Sequence, residues 1–200
     1  MCKAFRLGAV ALLAGLWSLS LSAQEARGTL IFDVKPFTSE VELKEKIEKQ
    51  LKTGGIEWGV GEGQLVVTTL NKRFIRFDLP NMTRYGENKS LQLEPGTYRL
   101  TCVGFLPEGG FSIEKALKKG AYFNLDIQTF DVVAGKTTTL EMYPAIRKTS
   151  TFLLKFYTPD LLVKVIEDGV VKSEHVINER TDASIAWDDY NGQLKFIAEP

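Results

Sequence analysis

Residues that could bind a cation or a partner protein occur together near the end of the chain, as Trp187, Asp188, Asp189 and Tyr190. Two adjacent carboxylates followed by an asparagine offer the oxygen ligands that a hard cation such as calcium prefers. The two aromatic residues flank the acids, and aromatic side chains are enriched at the energetic centres of protein interfaces. The segment is therefore a candidate partner-binding site, and a cation site is the alternative. Asn191-Gly192 also predicts a type I′ hairpin between strands at 185–187 and 194–196.

Trp58 is the other candidate partner-binding residue. It lies in the glycine-rich segment 54–63, a composition that is typical of a loop. An exposed tryptophan in such a loop would suit a binding role, whereas a packed tryptophan would belong to the core. The sequence leaves both alternatives open.

Residues for the common catalytic mechanisms are scarce. His175 is the only histidine, and no Gly-x-Ser-x-Gly nucleophile motif accompanies it. Cys102 is the only cysteine beyond residue 23, and its alternating apolar surroundings indicate a buried, unreactive thiol. One histidine and one cysteine do not make a typical zinc site. We therefore expect no enzymatic activity, no metal centre and no cofactor.

The candidate binding residues lie in a chain of short segments in which apolar and polar residues alternate. Turn residues separate these segments. This period-two pattern predicts β-strands and a mainly β fold. A hairpin is expected at 70–72. The predicted strands are 29–34, 64–69, 73–79, 90–93, 97–105, 123–133, 136–143, 151–157, 161–166, 170–177, 184–187 and 193–197.

Helices are predicted in two places. Ser39 and Glu42 match a capping box, and apolar residues then recur every four positions from Leu43 to Leu51. A strand through 41–47 is the competing prediction. The second candidate is 111–120, where lysines followed by a glycine suit the C-terminal end of a helix.

Two turn motifs carry a resemblance to a known family. Glu94-Pro95-Gly96-Thr97-Tyr98 and Val133-Ala134-Gly135-Lys136-Thr137 resemble turns of the carboxypeptidase-regulatory-like, prealbumin-type β-sandwich modules of secreted bacterial proteins. The turns at 157–160 and 167–169 are similar to those of the related PEGA modules. The resemblance covers residues 29–143 and implies a β-sandwich that serves as a spacer or interaction domain. Ala134-Gly135 is expected to turn a hairpin.

Residues 1–23 have the three-part pattern of a secretory signal. Lys3 and Arg6 precede an uncharged apolar stretch, and small residues then lead to Ala23. The stretch is too short to span a bilayer, so we expect cleavage after Ala23 and a periplasmic or secreted protein with no membrane span. Cleavage removes two of the 25 basic residues and none of the 25 acidic ones. Such a charge balance offers no basic face for nucleic acid.

These features predict a signal peptide at 1–23, an antiparallel β-sandwich of prealbumin or immunoglobulin type with one or two short helices at 24–146, and a small C-terminal β subdomain at 147–200. The expected function is that of a soluble, non-catalytic interaction module of the bacterial envelope, which binds an envelope protein or a small ligand. A periplasmic inhibitor or immunity-type protein, with Trp58 or Asp188-Asp189 as its plug, is one alternative. A hydrolase or carbohydrate-active protein with paired carboxylates is the other.

Overall fold

The computed structural model of the chain describes residues 26–68, 75–77, 79–105, 118–150, 155–192 and 196–198. It confirms a mainly β fold. Among the described residues, helix α1 spans Glu45–Lys52, residues 118–120 are also helical, and a 3₁₀ turn spans Trp187–Asp189. The strands are β1 (Gly28–Val34), β2 (Thr38–Ser39), β3 (Gly55–Gly61), β4 (Gln64–Thr68), β5 (Ile75–Phe77), β6 (Asn81–Arg84), β7 (Asn88–Leu93), β8 (Gly96–Phe105), β9 (Ala121–Val132), β10 (Thr137–Ser150), β11 (Lys155–Glu167), β12 (Val170–Val176), β13 (Ile185–Ala186) and β14 (Phe196–Ala198).

The strands form two large sheets and a third sheet of two strands. Sheet A has the order β12-β11-β10-β1-β7, with β2 added beside β10, and sheet B has the order β13-β9-β8-β4-β3-β6. Strand β14 pairs with β5. The pairs β1–β10, β2–β10 and β4–β8 are parallel. Both large sheets are therefore mixed, which corrects the expectation of a purely antiparallel sandwich. Parallel neighbours need long crossover connections, and local sequence patterns do not show these.

The two large sheets share one apolar core. Leu30, Phe32 and Val34 of β1 are buried, while the residues between them are partly exposed. They belong to the same buried cluster as Trp58 and Leu65 of sheet B. The ring centroids of Phe32 and Trp58 are 5.3 Å apart. Because complete burial of one such side chain stabilises a fold by roughly 1.5–3 kcal/mol, this shared layer is the main source of stability.

Both turn motifs of the family resemblance connect the two sheets. Glu94-Pro95 links β7 of sheet A to β8 of sheet B, and 133–136 links β9 of sheet B to β10 of sheet A. Gly135 has φ +72°, which favours glycine, so the tight turn is present. The predicted hairpin at Ala134-Gly135 is wrong, because the strands on either side of the turn lie in different sheets and face each other across the core.

Helix α1 confirms a helix after the first strand, but it begins at Glu45. The Ser39 hydroxyl lies earlier, in β2, where it accepts the Val41 amide at 3.2 Å and donates to the Val41 carbonyl at 2.8 Å. The predicted capping box is wrong, because this local turn engages the serine before the helix starts. The second helix candidate lies mostly outside the described residues, of which 118–120 are helical.

Two other predicted hairpins are wrong. Strand β4 pairs with β3 and β8, while β5 pairs with β14, so the two described strands nearest to the first predicted hairpin do not pair with each other. Residues 70–72 themselves lie outside the described residues. Strand β13 pairs with β9 and not with β14, so Asn191-Gly192 does not turn a hairpin either. Strands β5 and β13 pair with strands that are far away in sequence, whereas β4 pairs both with β3, its neighbour in sequence, and with the distant β8.

Sheet A is continuous across residue 146. Strand β10 passes through Pro144 and pairs with β11 along its length. Leu161 and Val163 of β11 belong to the same buried cluster as Leu30. The separate C-terminal subdomain at 147–200 stays a prediction. It can be tested by measuring whether this part of the chain unfolds together with the rest.

We predict that Leu161→Ala lowers the free energy of unfolding of the whole fold by about 2–5 kcal/mol, because Leu161 is fully buried in the shared core. The measurement is urea unfolding of a chain lacking residues 1–23 and carrying Trp187→Phe, so that Trp58 fluorescence reports sheet B while far-UV circular dichroism reports both sheets. The two signals should shift together to lower urea. A shift of the dichroism with an unchanged Trp58 transition would contradict the shared core.

Candidate functional site

A groove of about 500 Å³ lies between β2 and α1. Strand β2 is held by its pairing with Ala145 and Ile146 of β10, and the Glu40 amide donates to the Ile146 carbonyl at 3.1 Å. On the other side, the first turn of the helix is closed by the Glu48 amide, which donates to the Lys44 carbonyl at 3.0 Å. The groove is lined by Phe37, Ser39, Val41, Glu42, Leu43, Glu45, Glu48 and Lys52.

The apolar residues of the groove, which we call its floor, are also its more buried ones. Phe37, Val41 and Leu43 line it and are partly buried. The Phe37 ring packs against the Tyr85 ring, with centroids 5.6 Å apart. Burial raises the pKa of Tyr85 to about 12, so the phenol behind the floor stays neutral at physiological pH. The floor is thus an uncharged surface that another apolar group can cover.

The charged residues of the groove, which we call its rim, are three glutamates and one lysine. Glu42 and Glu45 are exposed, and Glu48 is partly exposed. The Glu48 carboxylate pairs with the Lys52 ammonium at 2.6 Å, one helical turn further on. Three carboxylates therefore face one ammonium group around the groove. An apolar floor under a negative rim suits a cationic side chain with an aliphatic stem, because such a side chain buries its stem and leaves its charge at the rim.

The structure brings Trp187, Asp188, Asp189 and Tyr190 together in one compact turn. The Tyr190 ring stacks on Phe123 with centroids 3.7 Å apart, and the Trp187 ring lies 5.2 Å from the same phenylalanine. Both aromatic side chains are partly buried, while Asp188 and Asp189 are exposed. The aromatic residues thus anchor the turn to sheet B, and the two carboxylates are its outward-facing groups.

Trp58 is a core residue. It is 4% exposed, and its Nε1 donates to the Thr83 hydroxyl at 2.9 Å. The predicted glycine-rich loop is wrong, because Gly55–Gly61 forms β3. A Cβ on Gly55 would collide with the Thr83 carbonyl oxygen, and one on Gly59 would lie 3.0 Å from Leu79. These glycines allow close packing, and the burial of Trp58 removes it from the exposed surface.

The groove between β2 and α1 was not predicted from the sequence. From the sequence, Glu42 is assigned to a capping box, and Glu45 and Glu48 are given no functional role. The available signal was the mixture of acids and apolar residues in 37–48. The mixture alone does not show that these residues line a groove. The groove forms because β2 pairs with β10 and so positions the segment that leads into α1.

The groups that commonly carry catalysis lie apart from the groove. Cys102 is buried in the core, and this burial raises the pKa of its thiol far above the usual value, which keeps it protonated and inert. His175 is exposed on β12. Within the described ranges, no three His, Cys, Asp or Glu side chains come together as a metal site, so Asp188-Asp189 gains no third ligand of these types there.

The comparisons complete this description. The chain was compared with protein-family models, with curated proteins and with solved structures, and none of the three gave a match. Among the described residues, no helix combines the length and the apolar character needed to cross a membrane. The inference of function therefore rests on the geometry of this chain.

We predict that Trp58→Phe and Thr83→Val each lower the free energy of unfolding, and that their effects are coupled by about 1 kcal/mol, because both substitutions remove the same buried hydrogen bond. Urea unfolding of the two single variants and the double variant measures this coupling. Strictly additive losses would show that the two side chains do not interact in the folded chain.

Proposed function

We propose that this chain is an exported, non-catalytic binding module of the bacterial envelope, which recognises a cationic segment of a partner protein in the groove between β2 and α1. The observation that carries the proposal is the combination of an apolar floor with an acidic rim. Burial of apolar stems on the floor supplies affinity, and the rim supplies orientation and faster association. Export rests on the signal-like pattern of residues 1–23.

The polar groups of the groove favour binding over covalent catalysis. The Ser39 hydroxyl is engaged with the Val41 backbone in both directions. Lys52 is engaged with Glu48. The two side chains that could act as nucleophiles are thus committed to structural contacts, and no histidine or cysteine lines the groove to activate them. Glu42 and Glu45 remain as the groups that a ligand meets first.

The acidic turn at Asp188-Asp189 is proposed as a second contact surface for the same kind of partner. Its carboxylates are exposed and are held by aromatic side chains that already pack on Phe123. Because the turn is preordered, little conformational entropy is lost when a partner covers it. This surface is also the contact that an inhibitor or immunity-type protein would use, since Trp58 is buried.

The experiment measures the affinity of a fluorescent peptide of alternating lysine and leucine by anisotropy, with the chain lacking residues 1–23. We predict that the double substitution Glu42→Lys, Glu45→Lys weakens binding by about tenfold, because two charge contacts reverse sign. The double substitution Glu62→Lys, Asp182→Lys is the matched control, since it makes the same total charge change at two exposed residues outside the groove, and its affinity should be unchanged. Val41→Ser should weaken binding at both low and high salt, because it acts on the floor.

Two outcomes would overturn this assignment. One is a groove variant that binds as tightly as the wild-type chain, and the other is equal binding of a glutamate–leucine peptide. A variant Asp188→Asn, Asp189→Asn that alone loses affinity would move the site to the turn. Hydrolysis of a chromogenic glycoside that disappears in Glu45→Gln would favour the paired-carboxylate hydrolase, because three glutamates line the same groove.

A further inference from the structure

A polar pocket of about 340 Å³ lies on sheet B. Its base is a row of three residues on adjacent strands, because Gln64 of β4 pairs with Arg99 of β8, and Arg99 pairs with Thr129 of β9. Their chain neighbours Leu65 and Leu100 belong to the core shared with sheet A. Since successive side chains of a strand point to opposite faces, the row lies on the face of sheet B that points away from this core. The volume is at the lower end of the range for small-molecule sites, about 300–1,000 Å³.

The turn beside this row, Glu62-Gly63, has an unusual residue at its first position. Glu62 has φ +46° and Gly63 has φ +72°, and the flanking Gly61 and Gln64 are paired, so this is a type I′ hairpin turn. Asparagine, aspartate or glycine is preferred at the first position, because other residues rarely adopt a positive φ. Glu62 adopts it nevertheless, and it lines the pocket. A backbone outlier at the wall of a pocket points to a role for its side chain in binding.

A bulge in β9 holds the guanidinium group of Arg99. The pairs that Leu100 and Cys102 make with β9 enclose one residue on β8 and three residues, 125–127, on β9. Bulges re-aim side chains at functional sites, and Asp126 of this bulge lies with its Oδ1 3.2 Å from Arg99 Nε. Among the described residues Asp126 is the ionic partner of Arg99, so the two terminal nitrogens of the guanidinium group are left to donate to a ligand.

The uncharged groups of the pocket are oriented by hydrogen bonds. Gln64 Nε2 donates to the Thr101 hydroxyl at 2.5 Å, so the amide oxygen of Gln64 points away from this partner and can accept. The Thr97 hydroxyl donates to Asp131 Oδ1 at 2.5 Å, which leaves its oxygen as an acceptor. Thr129 adds a second hydroxyl to the lining. The pocket thus offers a mixture of donors and acceptors at fixed positions.

The lining has no net charge. Glu62 contributes one carboxylate and Arg99 contributes one guanidinium group, so a simple anion would meet the first and a simple cation would meet the second. The other polar side chains of the lining are two hydroxyls and an amide, which both donate and accept. Hydroxyl groups of a sugar do the same, so a ring that carries several of them can satisfy this mixed set.

We propose that this pocket binds an uncharged sugar ring, whose neighbouring hydroxyls are held by Arg99 and Glu62. A hydroxyl that accepts from the guanidinium group and one that donates to the carboxylate form charge-assisted hydrogen bonds, which are stronger than neutral ones. The pocket shares no lining residue with the groove at α1. The proposal is therefore independent of the cationic-partner proposal, and either can fail alone.

The experiment is an NMR titration of the ¹⁵N-labelled chain, lacking residues 1–23, with the methyl glycosides of glucose, galactose, mannose and N-acetylglucosamine. At least one of them should shift the amide signals of 62–64, 97–99 and 129, with a Kd of about 1 mM, as expected for a ligand of this size. Glu62→Gly, Arg99→Met and Thr129→Val should each weaken this binding by about tenfold, because each removes groups that hydrogen-bond the sugar.

Asp168→Gly is the matched control. Asp168-Gly169 is also a turn in which both residues have positive φ, but it connects β11 and β12 of sheet A. The substitution removes the same charge from the same kind of turn, so the sugar affinity should be unchanged. Unfolding curves establish that the variants fold, and Glu62→Gly should fold because glycine adopts a positive φ without strain.

The proposal is overturned if no glycoside reaches half-saturation below about 30 mM. It is equally overturned if the three pocket variants bind as the wild-type chain does, or if Asp168→Gly weakens binding as much as Glu62→Gly. Inorganic phosphate and glycine are the charged probes. Shifts of the same amides by either of them, with no binding of a glycoside, would show a site for charged ligands instead.

Discussion

The contact between the two sheets, with Phe32 of β1 packed on Trp58 of β3, is the constraint on which the rest of the structure depends. Strand β1 is central in sheet A because β10 pairs with it in parallel and β7 in antiparallel orientation. Sheet B provides the opposite layer with a buried tryptophan whose nitrogen is satisfied by Thr83. Neither layer can bury its apolar face without the other, so β1, β10 and β11 of sheet A and β3, β4, β8 and β9 of sheet B contribute to one core.

The charged residues of the groove lie outside the buried core of the two sheets, and this placement explains why their charges do not destabilise the fold. Strand β2 is attached to sheet A by its pairing with β10, and the helix side chains that the structure describes are exposed or partly exposed and lie outside the buried cluster. Glu42 and Glu45 are therefore exposed, and their charges cost little desolvation energy. The stable layer beneath fixes their positions through backbone hydrogen bonds. The acidic turn at 188–189 is built in the same way, with aromatic anchors on sheet B beneath exposed carboxylates.

Features that depend on neighbouring residues could be predicted, and features that depend on distant partners could not. The alternation in 29–34 correctly predicts β1, because the burial of successive side chains is a local property of a strand facing one core. The hairpins at Ala134-Gly135 and Asn191-Gly192 were wrong because turn residues do not determine which strands pair. The glycines around Trp58 predict a loop, although Gly55 is required by the close approach of β6 in a strand pair. The compact turn at 187–190 was visible in the sequence because its four residues are consecutive, whereas the groove requires β2 to pair with β10.

The central claim is that the acid-rimmed groove receives a cationic partner. The most direct measurement is a titration of the ¹⁵N-labelled chain, without residues 1–23, with the lysine–leucine peptide, followed by backbone amide chemical shifts. If the groove binds the peptide, the largest shifts lie at residues 37–48, which include most of the groove lining, and β12 is unaffected. Shifts confined to other surfaces, or no saturable shifts at 37–48, would contradict it.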